Sequence, residues 1–236
     1  MSVLLKVREE IIHCERCQRL RRYCERIGRE KRAAYRDDTY WARPVPGFGD
    51  PDAHIAIVGL APAAHGANRT GRNFTGDGAG GSGDFLMAAM HANGLANQPT
   101  SRSRDDGLML VDAWIAAAVR CAPPDNKPTP GERDTCAPWL TAELRMVAPG
   151  LRVIVCLGGF AWQALWQVLD DAGYALPRPR PAFAHGSEAE LRSTGAAPVT
   201  LLGCYHPSQQ NTFTGRVTSQ MLDAVFTRAR VLRGPS

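Results

Sequence analysis

Two loops and a set of cysteines hold most of the chemistry this sequence can offer. The first loop, Gly59–Gly83, reads GLAPAAHGANRTGRNFTGDGAGGSG. It carries one carboxylate, Asp77, with His65, Asn68, Arg69 and Arg72, and its eight glycines let backbone amides approach a bound group closely. The second loop, YHPSQQN, starts at Tyr205 and puts His206 next to a turn-forming proline. A carboxylate and an imidazole are the usual groups for moving protons or holding developing charge. Cys14 and Cys17 form a C-x-x-C, Cys121 follows an apolar stretch, and Cys136 lies fifteen residues further on. Those four make a tetrathiolate site that suits a [4Fe–4S] cluster or structural zinc. Cys24 competes with Cys136 for the fourth place. Cys156 and Cys204 fall in apolar strands and read as buried free thiols. The C-x-x-C alone is weak, since two incidental thiols explain it as well.

The elements that must position these groups follow from periodicity. Residues 3–35 read as helical and basic, and 36–53 as a proline- and glycine-rich entry loop. Ile55–Leu60 is a continuous apolar run, as are Arg152–Leu157 and Val199–Tyr205, and all three read as buried strands. Leu108–Arg120 contains a fourth near its end. Helices are expected over Gly83–Asn93, Glu132–Val147, 160–172 and 216–232, with loops at PPDNKPTP and over 173–197. Buried strands alternating with helices predict a three-layer α/β/α sandwich around a mainly parallel four-stranded sheet. The expected organisation is one domain over residues 1–236, with a helical segment at 1–35 that carries the first two cysteines. In such sheets, sites lie beyond the carboxyl ends of the strands, which is where both loops fall.

Composition narrows the class. The chain has 236 residues, 44% of them hydrophobic, and no apolar run approaches the ~18 residues of a membrane span. Charges interrupt the first residues, MSVLLKVREEIIHCERC, which is unlike a secretion signal, so a cytoplasmic, monomeric protein free of membrane is expected. Seven cysteines then favour a metal site over disulfides. Net charge is +5, and only Lys6, Lys31 and Lys127 of the 28 basic residues are lysines. Arginine binds phosphate in a bidentate manner, so an anionic partner is one reading and a solvated arginine-rich surface the other.

Four ordered motifs carry a resemblance over nearly the whole chain. YWARPVPGFGD (Tyr40–Asp50), GLAPAAHGANRTGRNFTGD (Gly59–Asp77), VRCAPPDNKPTP (Val119–Pro130) and YHPSQQNTFTGR (Tyr205–Arg216) resemble the family 5, B-type uracil-DNA glycosylases. The resemblance implies excision of uracil, and often of other deaminated bases, from DNA. It implies a structural [4Fe–4S] cluster on Cys14, Cys17, Cys121 and Cys136. It implies that Phe74 stacks on an extruded base and that His206 donates to a base carbonyl.

Glycosidic cleavage releases the base as an anion and leaves a cation-like sugar, so a carboxylate and anion donors are required. The strand-end stretch from Gly59 supplies no carboxylate, since Leu60, Ala61 and Ala63 are all apolar, and Gly59, Ala61 and Ala63 are expected to contact the substrate. Asp77 is the nearest candidate for positioning water or stabilising the cation, against a helix-capping role. Asn126 is the remaining amide near the pocket, or else a turn residue. His65 and Asn68 are further candidates. Arg69 and Arg72 suit phosphate contacts, and Ser208, Gln209 and Asn211 suit entry into the minor groove. In several related families an asparagine stands four positions before the third cluster cysteine, where this chain has Ala117. That loss predicts weaker discrimination and a range extending to hypoxanthine. Two rivals are a cluster-containing DNA-binding module without catalysis and a nucleotide-binding α/β enzyme. The second is weak, because no phosphate-loop motif is present.

Overall fold

The computed structural model of the chain describes residues 3–78, 80–147, 149–193 and 196–234. Helices α1 (Val3–Ile12) and α2 (Gln18–Glu30) open it. They are separated by a short turn, so Cys14 and Cys17 lie in the connection and not on a helix. Then follow β1 (Phe48–Gly49), β2 (Ile55–Gly59), α3 (Ala67–Thr70), α4 (Ser82–Ala92) and β3 (Ala113–Ala117). The second half runs α5 (Pro130–Val147), β4 (Val153–Leu157), α6 (Gly159–Asp171), β5 (Tyr174–Ala175), β6 (Glu188–Ser193), β7 (Ala196–Cys204), α7 (Gln209–Phe213) and α8 (Ser219–Arg233).

The strands form one sheet in the order β1-β3-β2-β4-β7-β6-β5. β3, β2, β4 and β7 are parallel and form its centre, while β1, β6 and β5 run antiparallel at the edges. The expected four-stranded parallel sheet is thus the middle of a seven-stranded one. The two additional strands on one side come from 173–197, read above as loop. Glu188–Ser193 alternates between exposed and buried positions, with only Ala189 and Leu191 turned inward. So short and polar a run gives little hydrophobic signal. Leu108–Arg120 contributes a five-residue strand, and Arg120 and Cys121 lie beyond its end.

Period-two alternation divides the central strands between two helical layers. Ile55, Ile57, Val153 and Val155 pack with Leu86 and Met90 of α4 and with Leu222 and Phe226 of α8. Ala56, Val58, Ile154 and Cys156 pack against Leu140 and Leu144 of α5 and Trp162 and Leu165 of α6. Each fully buried Ile, Leu or Phe in these layers is worth about 1.5–3 kcal/mol. The α5 start is fixed by a reciprocal cap: Thr129 Oγ1 accepts from the Glu132 amide and the Glu132 carboxylate accepts from the Thr129 amide.

From β2 the chain moves to β3 on one side and then crosses to β4 on the other. The crevice at that reversal of direction, outside the carboxyl ends of the strands, is where α/β sheets bind ligands.

Candidate active site

A cavity of about 360 Å³ opens at that crevice, within the usual size of small-molecule sites. Three strand ends build its floor: Gly59 closes β2, Ala117 closes β3, and His206 follows β7. Leu60, Ala61, Pro62 and Ala63 form an apolar wall. An outer cleft of about 460 Å³ adjoins it and shares Ala63, Asp77, Ser82, Asn126 and Ser208.

Phe74 and His206 both line the cavity and touch, with ring centroids 5.8 Å apart and planes tilted by 30°. Phe74 sits at a positive φ of 50°, uncommon for an aromatic residue and a sign that the loop holds it in place. Its ring lies on Gly59: a β-carbon there would stand 2.8 Å from its Cζ. Gly59 therefore ends β2 because the ring needs that space.

Asp77 reaches the cavity from the far end of the glycine loop. Burial pushes its carboxyl up to about 6, while the Gly83 amide and, more weakly, the Arg69 charge pull it back. The carboxylate presses against Gly66, where a β-carbon would come within 1.8 Å of Oδ1. Gly59 and Gly66 stand where the loop needs a residue without a side chain. They give space to the aromatic ring at one point and the carboxylate at another. A carboxylate held in so dry a setting has strengthened electrostatic reach and basicity close to neutral.

Burial lowers the His206 imidazole to about 4, so it is neutral above pH 5 and offers one N–H to the cavity. Asn211 Nδ2 donates to the His206 backbone carbonyl at 2.8 Å, so Asn211 braces the histidine turn. Ser208 lines the cavity and caps α7, accepting from the Asn211 amide. Gln209 stands exposed on the rim of the outer cleft.

Asn126 lies at the cavity mouth and is exposed. It and Asp125 both adopt left-handed backbone, with φ of 55° and 53°. Asp125 is a second carboxylate at the same mouth, which the reading of Asp77 as the nearest candidate did not weigh. It stands next to Asn126 in PPDNKP. Asp125 is solvent-exposed, so Asp77 remains the desolvated one. Asn73 and Ser82 also line the cavity and were not singled out.

Three expected site residues do other work. Asn68 is fully buried outside the cavity and donates to the Cys24 and Ala64 carbonyls. Arg69 pairs with Asp38, donates to the Gly76 carbonyl at 2.6 Å and stacks on Tyr35. Arg72 is buried and binds Asp106 in a bidentate pair, together with Ser101, Thr75 and the Arg104 carbonyl. Both guanidinium groups are occupied in tying the loop to its neighbours. His65 lies in the outer cleft, where Nδ1 is 2.9 Å from the Tyr40 hydroxyl.

Cys14, Cys17, Cys121 and Cys136 line one small closed space between the α1–α2 turn and α5. Trp139 Nε1 donates to Cys14 Sγ and the Arg120 amide to Cys136 Sγ, both at 3.3 Å. Burial pushes the Cys136 thiol up to about 11, and the Arg120 charge opposes the rise. Cys24 Sγ donates to the Ala122 carbonyl at 3.6 Å and stays outside that space, so the geometry favours Cys136 over it. The donor chemistry fits a tetrathiolate group. Among the described residues, however, no three candidate ligands already stand in a metal-holding arrangement. No helix among them is long and apolar enough to cross a membrane.

The profile of the Uracil DNA glycosylase superfamily matches residues 46–230. The chain is 53% identical over 225 residues to the Type-5 uracil-DNA glycosylase of Mycobacterium leprae, covering 95% of this chain and 93% of that one. It is 47% identical over 221 residues to the Type-5 uracil-DNA glycosylase of Thermus thermophilus, covering 94% of each. The Type-4 uracil-DNA glycosylase of Archaeoglobus fulgidus is 30% identical over 165 residues, 70% of each chain.

Proposed function

Because the chain belongs to the uracil-DNA glycosylase superfamily, we propose that it hydrolyses the bond between deoxyribose and uracil in DNA, leaving an abasic site. One observation carries the reading beyond the family: a desolvated carboxylate, a neutral imidazole and an aromatic face meet in a single cavity at the strand ends.

Each group has a part in that reaction. The extruded base stacks on Phe74 and rests against the apolar wall of Leu60, Ala61 and Ala63. Neutral His206 donates its N–H to the base oxygen on which negative charge grows as the bond lengthens. Its depressed pKa makes it a hydrogen-bond donor and not a proton donor at neutral pH. Ionised Asp77, which lines the same cavity, stabilises the cationic sugar and orients the attacking water. The outer cleft gives water and the sugar–phosphate backbone access to Asp77 without opening the base pocket. The Ala117 wall presents no polar atom beyond its backbone to the base edge, which favours a substrate range that includes hypoxanthine. Cys14, Cys17, Cys121 and Cys136 would hold a [4Fe–4S] cluster that cross-links the N-terminal helices to α5, a structural role away from the cavity.

The test is single-turnover excision on duplexes carrying uracil or hypoxanthine, read as strand breaks after alkaline treatment. Abasic product from both supports the reading. Binding without product supports a DNA-binding module instead.

A further inference from the structure

The two arginines expected to bind phosphate are committed inside the loop, which leaves the DNA backbone without an assigned track. We propose that the exposed arginine face of α2, Arg22, Arg26 and Arg29, continued by Arg32, is that track and holds the phosphates of the strand beside the extruded nucleotide. The proposal rests on the reading of the chain as a DNA glycosylase.

Helical geometry sets the face. At about 100° per residue, Arg22, Arg26 and Arg29 project within about 60° of one another. Leu20 and Cys24, on the opposite side, are fully buried against Val119 and Ala122. The helix is therefore clamped by its apolar side with its cationic side outward. All four arginines are exposed. Arg26 pairs with Glu30 at 3.0 Å and lies over the Tyr23 ring. Arg22, Arg29 and Arg32 carry no ion pair or side-chain hydrogen bond among the described residues. Arg19 lies on the same side but is held by Glu132, in a bidentate pair at 2.7 Å. It is left out because its bidentate partner Glu132 is largely buried, whereas the Arg26–Glu30 pair is solvent-exposed on both sides.

Position supplies the second argument. A surface hollow of about 570 Å³ is lined by Arg22, Arg26, Arg29, Tyr23 and Pro124. Tyr23 and Arg32 also line the outer cleft, together with Asp77 and Asn126. Tyr23 lines both the hollow and the outer cleft, so the cationic face adjoins the cleft that reaches the carboxylate. From Arg22 to Arg29 within the helix the rise is about 10 Å, roughly the length of three phosphates on one strand.

The experiment compares the wild type with R22A/R29A and R22K/R29K, measuring affinity for a lesion-free duplex from 50 to 200 mM salt. Each lost phosphate contact lowers the slope of log affinity against log salt by about 0.9, so the alanine pair should lose about 2 and weaken binding roughly 10- to 60-fold at 0.1 M salt. The lysine pair should keep most of the slope. Single-turnover excision at saturating uracil duplex should stay within about twofold for both, because neither residue lines the cavity. An alanine pair with wild-type affinity and slope overturns the assignment and leaves the glycosylase reading intact. Wild type that never excises uracil defeats that reading, while the slope comparison still decides whether α2 binds the backbone.

Discussion

Replacing Asp77 with asparagine should make the protein more stable and nearly inactive. Burial raises this carboxyl from its ordinary 3.8 to about 6. A group whose folded pKa is raised contributes most below its unfolded value and loses that contribution as pH rises through the folded one. Charged Asp77 therefore costs folding about 3 kcal/mol at pH 7.5 and about 1 kcal/mol at pH 4.5, because one pKa unit is worth 1.36 kcal/mol. Asparagine has nearly the same shape, can still accept from the Gly83 amide and carries no charge. Urea denaturation should show Asp77→Asn stabilised by up to about 3 kcal/mol at pH 7.5, a rise in Tm of about 5–10 °C for a chain of this size, with most of the gain gone at pH 4.5. Single-turnover excision should fall by about 10²–10⁴-fold while affinity for DNA is retained. In the wild type, subsaturating rates should fall about tenfold between pH 7 and pH 5 as Asp77 takes up its proton. A variant that is less stable than wild type at pH 7.5, or one that excises uracil at the wild-type rate, would show that the carboxylate is neither desolvated nor catalytic.

Other outcomes follow from neighbouring contacts. Because His206 titrates near 4, the acid limb of the rate profile should have its midpoint near 6, from Asp77; His206→Ala should lower the plateau by about 10²-fold without moving that midpoint. A shifted midpoint would tie the titration to the histidine. Ala117→Asn should place a base-edge reader on the cavity wall and raise the preference for uracil over hypoxanthine about tenfold or more; an unchanged ratio in single-turnover assays would move discrimination elsewhere. Gly59→Ala should drive a methyl group into the Phe74 ring and weaken excision of every base alike, detectable as a uniform loss across lesions. Purified wild type should be brown and contain iron, and Cys136→Ser should lose both, whereas Cys24→Ser should keep them. Colourless wild type with stoichiometric zinc would replace the cluster.

The sheet was readable because β2, β4 and β7 are continuous apolar runs, a pattern that survives without knowledge of their neighbours. Edge strand β6 was not, since Glu188, Glu190 and Arg192 dominate a segment that buries only Ala189 and Leu191. The cavity group Gly59, Ala61, Ala63, Phe74, Asp77 and His206 was legible from the motifs and their place at strand ends, and the structure brings these residues together. The arginines were misjudged for a different reason. Sequence gives the type of a side chain but not its partner, and the partners of Arg69 and Arg72, Asp38 and Asp106, lie about thirty residues away. Asn68 was misplaced by the same blindness to burial.

The central claim is that a nucleotide leaves the helix and seats its base against Phe74, within reach of His206. A crystal structure of Asp77→Asn bound to a duplex containing uracil tests it most directly. The base should lie against the Phe74 ring with a carbonyl oxygen within hydrogen-bond distance of the His206 imidazole, and the asparagine should face the sugar. A uracil still stacked in the duplex over this cavity, or lodged in another one, would contradict the account.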